Sequence, residues 1–317
     1  MTVNWSRRGF LAAACASTGV LAACGSSSIE SALSPSRFIV FGDGFSDVGQ
    51  TGSRYTVNDG SVNIWVQQLA TNYGKTVTAA SAGGTGYARG NARVAITPDA
   101  AGNAATLTVT AQLDNFLATD SFGSDDLGVV SAGIGDIVAQ MAAVTAGSQT
   151  ADAMLANAAQ AGTALGAQVR RMVQAGAKHV LVAGVYELSR SPWGIAIGQT
   201  SLLSQASGKF NDAFKIAVVD LGETVFYVDT AYYFNLLVAY PSNYSLSNST
   251  AAVCTSVDAG NGIGTGAGQV NSALCNTSTL VAGADYTQYV FADGIYPTPA
   301  AHRLFGNYAY DQLRYRW

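Results

Sequence analysis

The sequence predicts an α/β fold, a three-layer α/β/α sandwich with a mainly parallel sheet. Two observations carry this. Short apolar β-type runs alternate with amphipathic stretches of helical period, and that alternation implies parallel strands joined by helices that cover both faces of the sheet. The composition agrees: 49% of residues are hydrophobic and 11% charged, against a usual charged share of about 25%. Such a chain can bury a large core, and its Gly-rich loops do not make it a disordered one.

The elements follow in order. Phe38–Phe41 is a strand stopped by Gly42-Asp43-Gly44. Ile64 to Tyr73 is a helix, because Ile64, Trp65, Gln68 and Leu69 recur at helical spacing. A second strand is expected ahead of Gly83. Leu127–Ser131 is a buried strand, and Ala151 to Ala175 a long helix ended by Gly176. His179 to Ala183 is the next strand. Leu203 to Leu221 is helical, Val225–Val228 is a strand closed by Asp229, and Ala300 to Leu313 is the last helix. No internal repeat and no linker interrupts residues 37–317, which are read as one domain. In such sheets, sites form at the C-terminal ends of strands. Gly42–Gly44 and Gly133-Ile134-Gly135-Asp136 both lie at such ends.

Residues 1–23 read as a signal peptide. Arg7 and Arg8 precede an apolar stretch, Phe10 to Ala23, that is too short to span a bilayer. The pair resembles a twin-arginine export signal. Leu21-Ala22-Ala23-Cys24-Gly25 resembles a lipoprotein cleavage site, so Cys24 is expected to carry lipid. The Ser-rich residues 24–36 are expected to tether the domain to a membrane, the outer one if the cell is Gram-negative. Without the leader the chain has 14 basic and 20 acidic residues, a net charge of −6. This argues against nucleic acid as a partner, which would need clustered Lys and Arg. Cys254 and Cys275 are left over in an exported chain, and a disulfide between them is the simplest expectation. Neither Cys has a partner at zinc spacing, and the chain has two histidines, so neither a metal nor a cofactor is expected.

Four blocks stand in order: FGDGFSDVG from Phe41, GGTGYARGNARV from Gly83 to Val94, SAGIGDI from Ser131 to Ile137, and FADGIYPTPAAH from Phe291 to His302. Together they resemble the SGNH, or GDSL, hydrolase family of esterases and lipases, over nearly the whole mature chain. The resemblance implies a flavodoxin-like sandwich and a serine site, but departs from the family where the chemistry lies. The family's nucleophilic Ser falls on Gly44. The Asn of its second block falls on Gly86, and the following glycines on Gly90 and Asn91. Its oxyanion Asn falls on Gly135, and its catalytic His on Tyr296. Asp293, Pro297 and Thr298 are retained.

Gly44 cannot attack a carbonyl. A phenol of ordinary pKa near 10 cannot take a proton at neutral pH as imidazole can. Gly135 lacks a side-chain donor of a kind worth about 3 kcal/mol in an oxyanion hole. Backbone N–H groups near Gly44 and Gly90, with Asp293, are what remains. The glycines at 44 and 135 are expected to enlarge the pocket floor, with Tyr296 partly refilling it. Restoring Ser, Asn and His at 44, 135 and 296 is the expected minimum for rebuilding hydrolysis. Ser46 is expected to bond local backbone in a first helical turn, and His302 to pack or cap in the last helix. His179 is expected to meet solvent. Asp43, Asp47 and Asp136 are expected to accept from turn N–H groups. Arg89 and Arg93 fit either an anionic ligand or a solvated surface.

The leading expectation is an exported lipoprotein with this fold that binds a ligand, an acyl ester or a glycan, without serine catalysis. The alternatives are a carboxylic ester hydrolase with a non-standard site, and an envelope protein with no small-molecule site. Pocket shape separates them. An open cleft bounded by Gly44, Gly90, Gly135 and Tyr296 favours binding, whereas filling by Tyr296 favours a structural role.

Overall fold

The computed structural model describes residues 32–61 and 64–317. Arg7, Arg8 and Cys24 lie outside the described residues. The central sheet has four parallel strands in the order β1 (Phe38–Gly42), β2 (Leu127–Ser131), β3 (His179–Ala183) and β4 (Val225–Val228). Every residue of β1 and β2 is buried. Side chains alternate between the two faces of a strand, so continuous burial means that both faces are covered.

Eight α-helices are described: α1 (Trp65–Asn72), α2 (Val109–Thr119), α3 (Ile134–Thr145), α4 (Ala151–Gln174), α5 (Pro192–Ala196), α6 (Thr200–Val218), α7 (Thr230–Ala239) and α8 (Pro299–Arg316). α1 pairs with α8, and α4 with α6. Two short parallel strands, β5 (Asn248–Ala252) and β6 (Tyr289–Phe291), form a separate sheet. No described helix is long and apolar enough to cross a membrane.

The strand expected ahead of Gly83 does not form. Only single bridges from Gly86 to Val40 and to Ala79 mark its place beside β1. Ahead of Gly83 the chain turns instead through a short 3₁₀ helix, Ala80–Ala82, and the pairing beside β1 falls on the single residue Gly86. The expected tether is partly ordered: Leu33 is buried, Ala32 N donates to Trp317 O, and Ser36 Oγ donates to Asp126.

Aromatic rings fill the layer beneath the first turn. Trp65 of α1 and Phe305 of α8 pack with tilted rings 5.1 Å apart, and Phe45 lies 5.8 Å from Phe234 of α7. Cys254 and Cys275 are bonded, with Cα atoms 5.9 Å apart. Both are buried in a small second cluster with Val57, Val253 and Ala292.

Candidate functional site

The turn after β1 is built by close backbone approach. A Cβ on Gly42 would collide with Ser131 O, and its φ of +154° disfavours side chains. Asp43 then staples the turn to the start of α3. Its Oδ1 accepts from Phe45 N at 3.0 Å and its Oδ2 from Ile134 N at 2.9 Å. Asp47 accepts from Gly49 N, Gln50 N and Gly90 N, all within 2.9 Å. Asp136 accepts from Val94 N at 2.9 Å. The three acids bond turn backbone as expected.

Tyr296 meets this turn from the loop after β6. Asp293 Oδ1 accepts from Ile295 N at 2.8 Å and from Tyr296 N at 2.7 Å, while its Oδ2 accepts from Ser272 N at 2.9 Å. The carboxylate therefore shapes the loop that carries Tyr296. Thr298 begins α8, accepting from Ala301 N and donating to Tyr289 O. Tyr296 is 1% exposed. Its Oη would stand 2.6 Å, and its Cζ 2.8 Å, from a Cβ on Gly44.

The expected enlargement of the pocket floor is not found. The space at Gly44 is taken by Tyr296. A Cβ on Gly135 would collide with Ala92 O and stand 2.8 Å from Asn91 O, so loop backbone fills that space. At Gly90 the space is taken by the phenol of Tyr55, whose ring lies 5.0 Å from Tyr296, and the Gly90 N–H is held by Asp47. The expected triple restoration therefore fails at Gly135, where Asn has no room beside this backbone.

Ser46 departs from expectation too. It lies in the turn, fully buried, and its Oγ accepts from Trp65 Nε1 at 3.1 Å. His302 packs against Phe45 at 5.2 Å and accepts from Trp65 N through Nδ1 at 3.3 Å. His179 is half-buried, edge-on to Trp317, rather than solvent-facing. No Ser, Thr or Cys side chain is hydrogen-bonded to either histidine among the described residues. No group of three or more His, Cys, Asp or Glu among them could hold a metal.

The arginines are not a solvated surface. Arg93 is 9% exposed, with its Nε 3.5 Å from Asp136. Arg89 lines a cleft of about 280 Å³ together with Asp47, Tyr55, Gly90, Asn91 and Asp99. Gly44, Gly135 and Tyr296 do not line this cleft. Tyr55 joins the two regions, packing on Tyr296 and walling the cleft. The sequence reading missed Tyr55 and Asp99. The signal available for Asp99 was its place in Pro98-Asp99-Ala100, a turn-type acid with no apolar periodicity around it.

Burial dominates the electrostatics. It pushes the Asp43 carboxyl up to about 7, against its backbone hydrogen bonds and helped by the charge of Asp136. It pushes Asp136 up to about 6 despite Val94 N–H and Arg93. It pushes His302 down to about 3, and holds the Tyr296 phenol well above its ordinary value, with Asp43 adding to the shift. Between about pH 4 and 6 the folded protein thus holds protons on Asp43 and Asp136 and none on His302. In the unfolded chain, with Asp near 3.8 and His near 6.5, these three groups hold one, on the imidazole of His302. These three groups bind more protons in the folded state, so their contribution to stability falls as pH rises through this window and flattens above about 7, while His179, also lowered by burial, contributes with the opposite sign. Asp47 and Asp293, also raised by burial, act in the same direction. Thermal midpoints should be higher at pH 5 than at pH 8. A midpoint that climbs between those values would contradict the buried-carboxyl account.

A family model described as GDSL-like lipase/acylhydrolase matches residues 38–309. An "Uncharacterized protein in trpE-trpG intergenic region" of Pseudomonas putida is 26% identical over 162 residues, which are 51% of this chain and 26% of that protein. The match thus spans about a quarter of that relative's length. Two crystal structures align with 16% and 11% identity and TM-scores of 0.46 and 0.44, each covering 89% of this chain and 97% and 98% of their own.

Proposed function

The chain belongs to the GDSL-like lipase/acylhydrolase family, and on that premise we propose that it is a ligand-binding member without serine catalysis, held in the cell envelope by a lipid on Cys24. The ring of Tyr296 lodged where a side chain on Gly44 would extend, with Oη 2.6 Å from that Cβ position, carries the loss of serine catalysis. That filling, which by itself favours a structural role, closes only the family position, and the binding part of the reading is supported instead by the separate cleft of about 280 Å³ beside Tyr55, Arg89 and Asn91. A serine mechanism needs a hydroxyl and a base within hydrogen-bond reach of each other. Position 44 has no hydroxyl, and a buried phenol raised well above its ordinary value takes no proton at neutral pH. His302, pushed down to about 3 and bonded to Trp65 N, is a poor substitute base.

The test is an assay on p-nitrophenyl acetate, butyrate and octanoate with a serine-directed phosphonate. The wild type is expected to show no turnover above background and no label. Gly44→Ser and Tyr296→His should each stay inactive alone, because nucleophile and base act as a unit. The pair is the smallest rebuild with room, since the shorter imidazole vacates the space at Gly44. Robust wild-type hydrolysis abolished by the phosphonate would mean that the ester-hydrolase reading is right. The anchor is checked by the mass of the mature N-terminal peptide: an unacylated N-terminus elsewhere than Cys24 excludes it.

A further inference from the structure

We infer that the cleft walled by Tyr55, Arg89 and Asn91 binds one neutral, hydroxyl-rich ring, a pyranose unit of a glycan. The inference rests on the non-catalytic, ligand-binding reading and names the ligand class for it.

The free hydrogen-bonding capacity of the lining is the main argument. Asn91 is 7% exposed and stands in the left-handed region at φ +59°. A non-glycine residue there costs on the order of 1 kcal/mol and persists only where its surroundings hold it. Its Nδ2 is fixed on Gly262 O at 2.7 Å, which leaves Oδ1 buried with no protein partner. Arg89 Nε is likewise buried without a protein partner, and no ion pair engages Arg89 among the described residues. Asp99 Oδ1 accepts from Ala101 N and Asn103 N, and its Oδ2 accepts only from Thr106 Oγ1, at 2.6 Å. Asp47 Oδ2 accepts only from Gly90 N. Each carboxylate oxygen has two acceptor sites, so both Oδ2 atoms keep one.

The cleft therefore offers several acceptors together with the donors of the Arg89 guanidinium, the Asn103 amide and the Thr51 hydroxyl. Hydroxyl groups, which donate and accept at once, match that set. An anion would meet two carboxylates for one arginine, and a cation would meet the guanidinium. An acyl chain finds no long aliphatic side chain: alanines 101 and 105 and the Tyr55 ring supply the apolar wall. That ring is a flat face of the kind a sugar's C–H groups pack on. The volume of about 280 Å³ lies just under the roughly 300–1,000 Å³ of sites for drug-sized ligands, which fits a single ring.

Ligand-detected NMR on the full protein tests this with glucose, galactose and N-acetylglucosamine, against sodium butyrate and inorganic phosphate. At least one of the sugars should bind. Asn91→Gly keeps the left-handed backbone and removes Oδ1, and Arg89→Met keeps the stem and removes the donors. Each should weaken sugar binding on the order of tenfold, as loss of a buried hydrogen bond does, with cooperative melting retained. If Asn91→Gly does not fold, Arg89→Met reads the same interaction. No binding by any of the sugars, binding unchanged in the variants, or binding of butyrate or phosphate instead would each overturn the assignment. The ester assay on the same preparation separates the two readings. Absent turnover with no sugar binding removes the cleft assignment alone, whereas phosphonate-sensitive turnover removes the non-catalytic reading.

Discussion

Gly135→Ala is expected to destabilise the protein by about 2–3 kcal/mol, although Gly→Ala inside a helix is ordinarily stabilising by roughly 0.4–1 kcal/mol. The sign is set by space. Gly135 lies in the first turn of α3, and any Cβ there collides with Ala92 O and presses on Asn91 O at 2.8 Å. These are backbone atoms and cannot swing aside as a side-chain end can. The loop that carries them is itself fixed: Ala100 N donates to Asn91 O, Val94 N to Asp136, and Asn91 Nδ2 to Gly262 O. Gly208 is the internal control. It is exposed on α6 with nothing within 4 Å of its Cβ position, so Gly208→Ala should stabilise by about 0.5–1 kcal/mol. Equilibrium denaturation of both variants decides it, and equal effects of the same sign would show that the close approach at Gly135 is not real. Gly135→Asn should be at least as damaging as Ala, because the collision begins at Cβ. Rebuilding the oxyanion side of this site requires moving residues 91–92, not substitution at 135 alone.

Loss of the Cys254–Cys275 bond carries the second large effect. The bond spans 21 residues, and on the chain-entropy account its removal costs about 3 kcal/mol. Replacing both by Ala also trims two buried side chains from the small second cluster, which adds to the loss. The consequence extends past stability. The enclosed loop supplies Ser272 N to Asp293 and Gly262 O to Asn91. Cys254→Ala with Cys275→Ala should therefore lower the denaturation midpoint and weaken sugar binding in the cleft together. A double variant that melts like the wild type would refute the energetic claim. One that melts lower but binds sugar with unchanged affinity would break the link between loop and cleft.

Much of the scaffold was legible from local pattern. Leu127–Ser131, His179–Ala183 and Val225–Val228 form strands with the expected bounds, because each is a short, mainly apolar run, fully buried in β2 and partly so in β3 and β4. The helix from Ala151 ends at Gln174, one residue short of the expected bound, with Gly176 at φ +102° just beyond it. The turn acids also followed from type and place, since a carboxylate beside Gly in a turn accepts from the N–H groups around it. The strand expected ahead of Gly83 was misread, because the chain there turns through a 3₁₀ helix, Ala80–Ala82, and leaves a single bridge to pair with β1.

The sequence by itself determined which chemical groups stand at each position: no hydroxyl at 44, no imidazole at 296, no amide at 135. It also set the parallel sandwich, since periodicity and apolar runs are local properties that the sheet merely collects. Only the tertiary structure decided what occupies the space those side chains leave. Gly44 and Tyr296 are 252 positions apart, and the fit of one phenol over one Cα depends on how Asp293 shapes its loop and Asp43 its turn. The same holds for Gly135 against Ala92, for Tyr55 over Gly90, and for the cleft beside them. Packing distances between residues remote in sequence are set by the whole fold, and no local pattern in the chain encodes them.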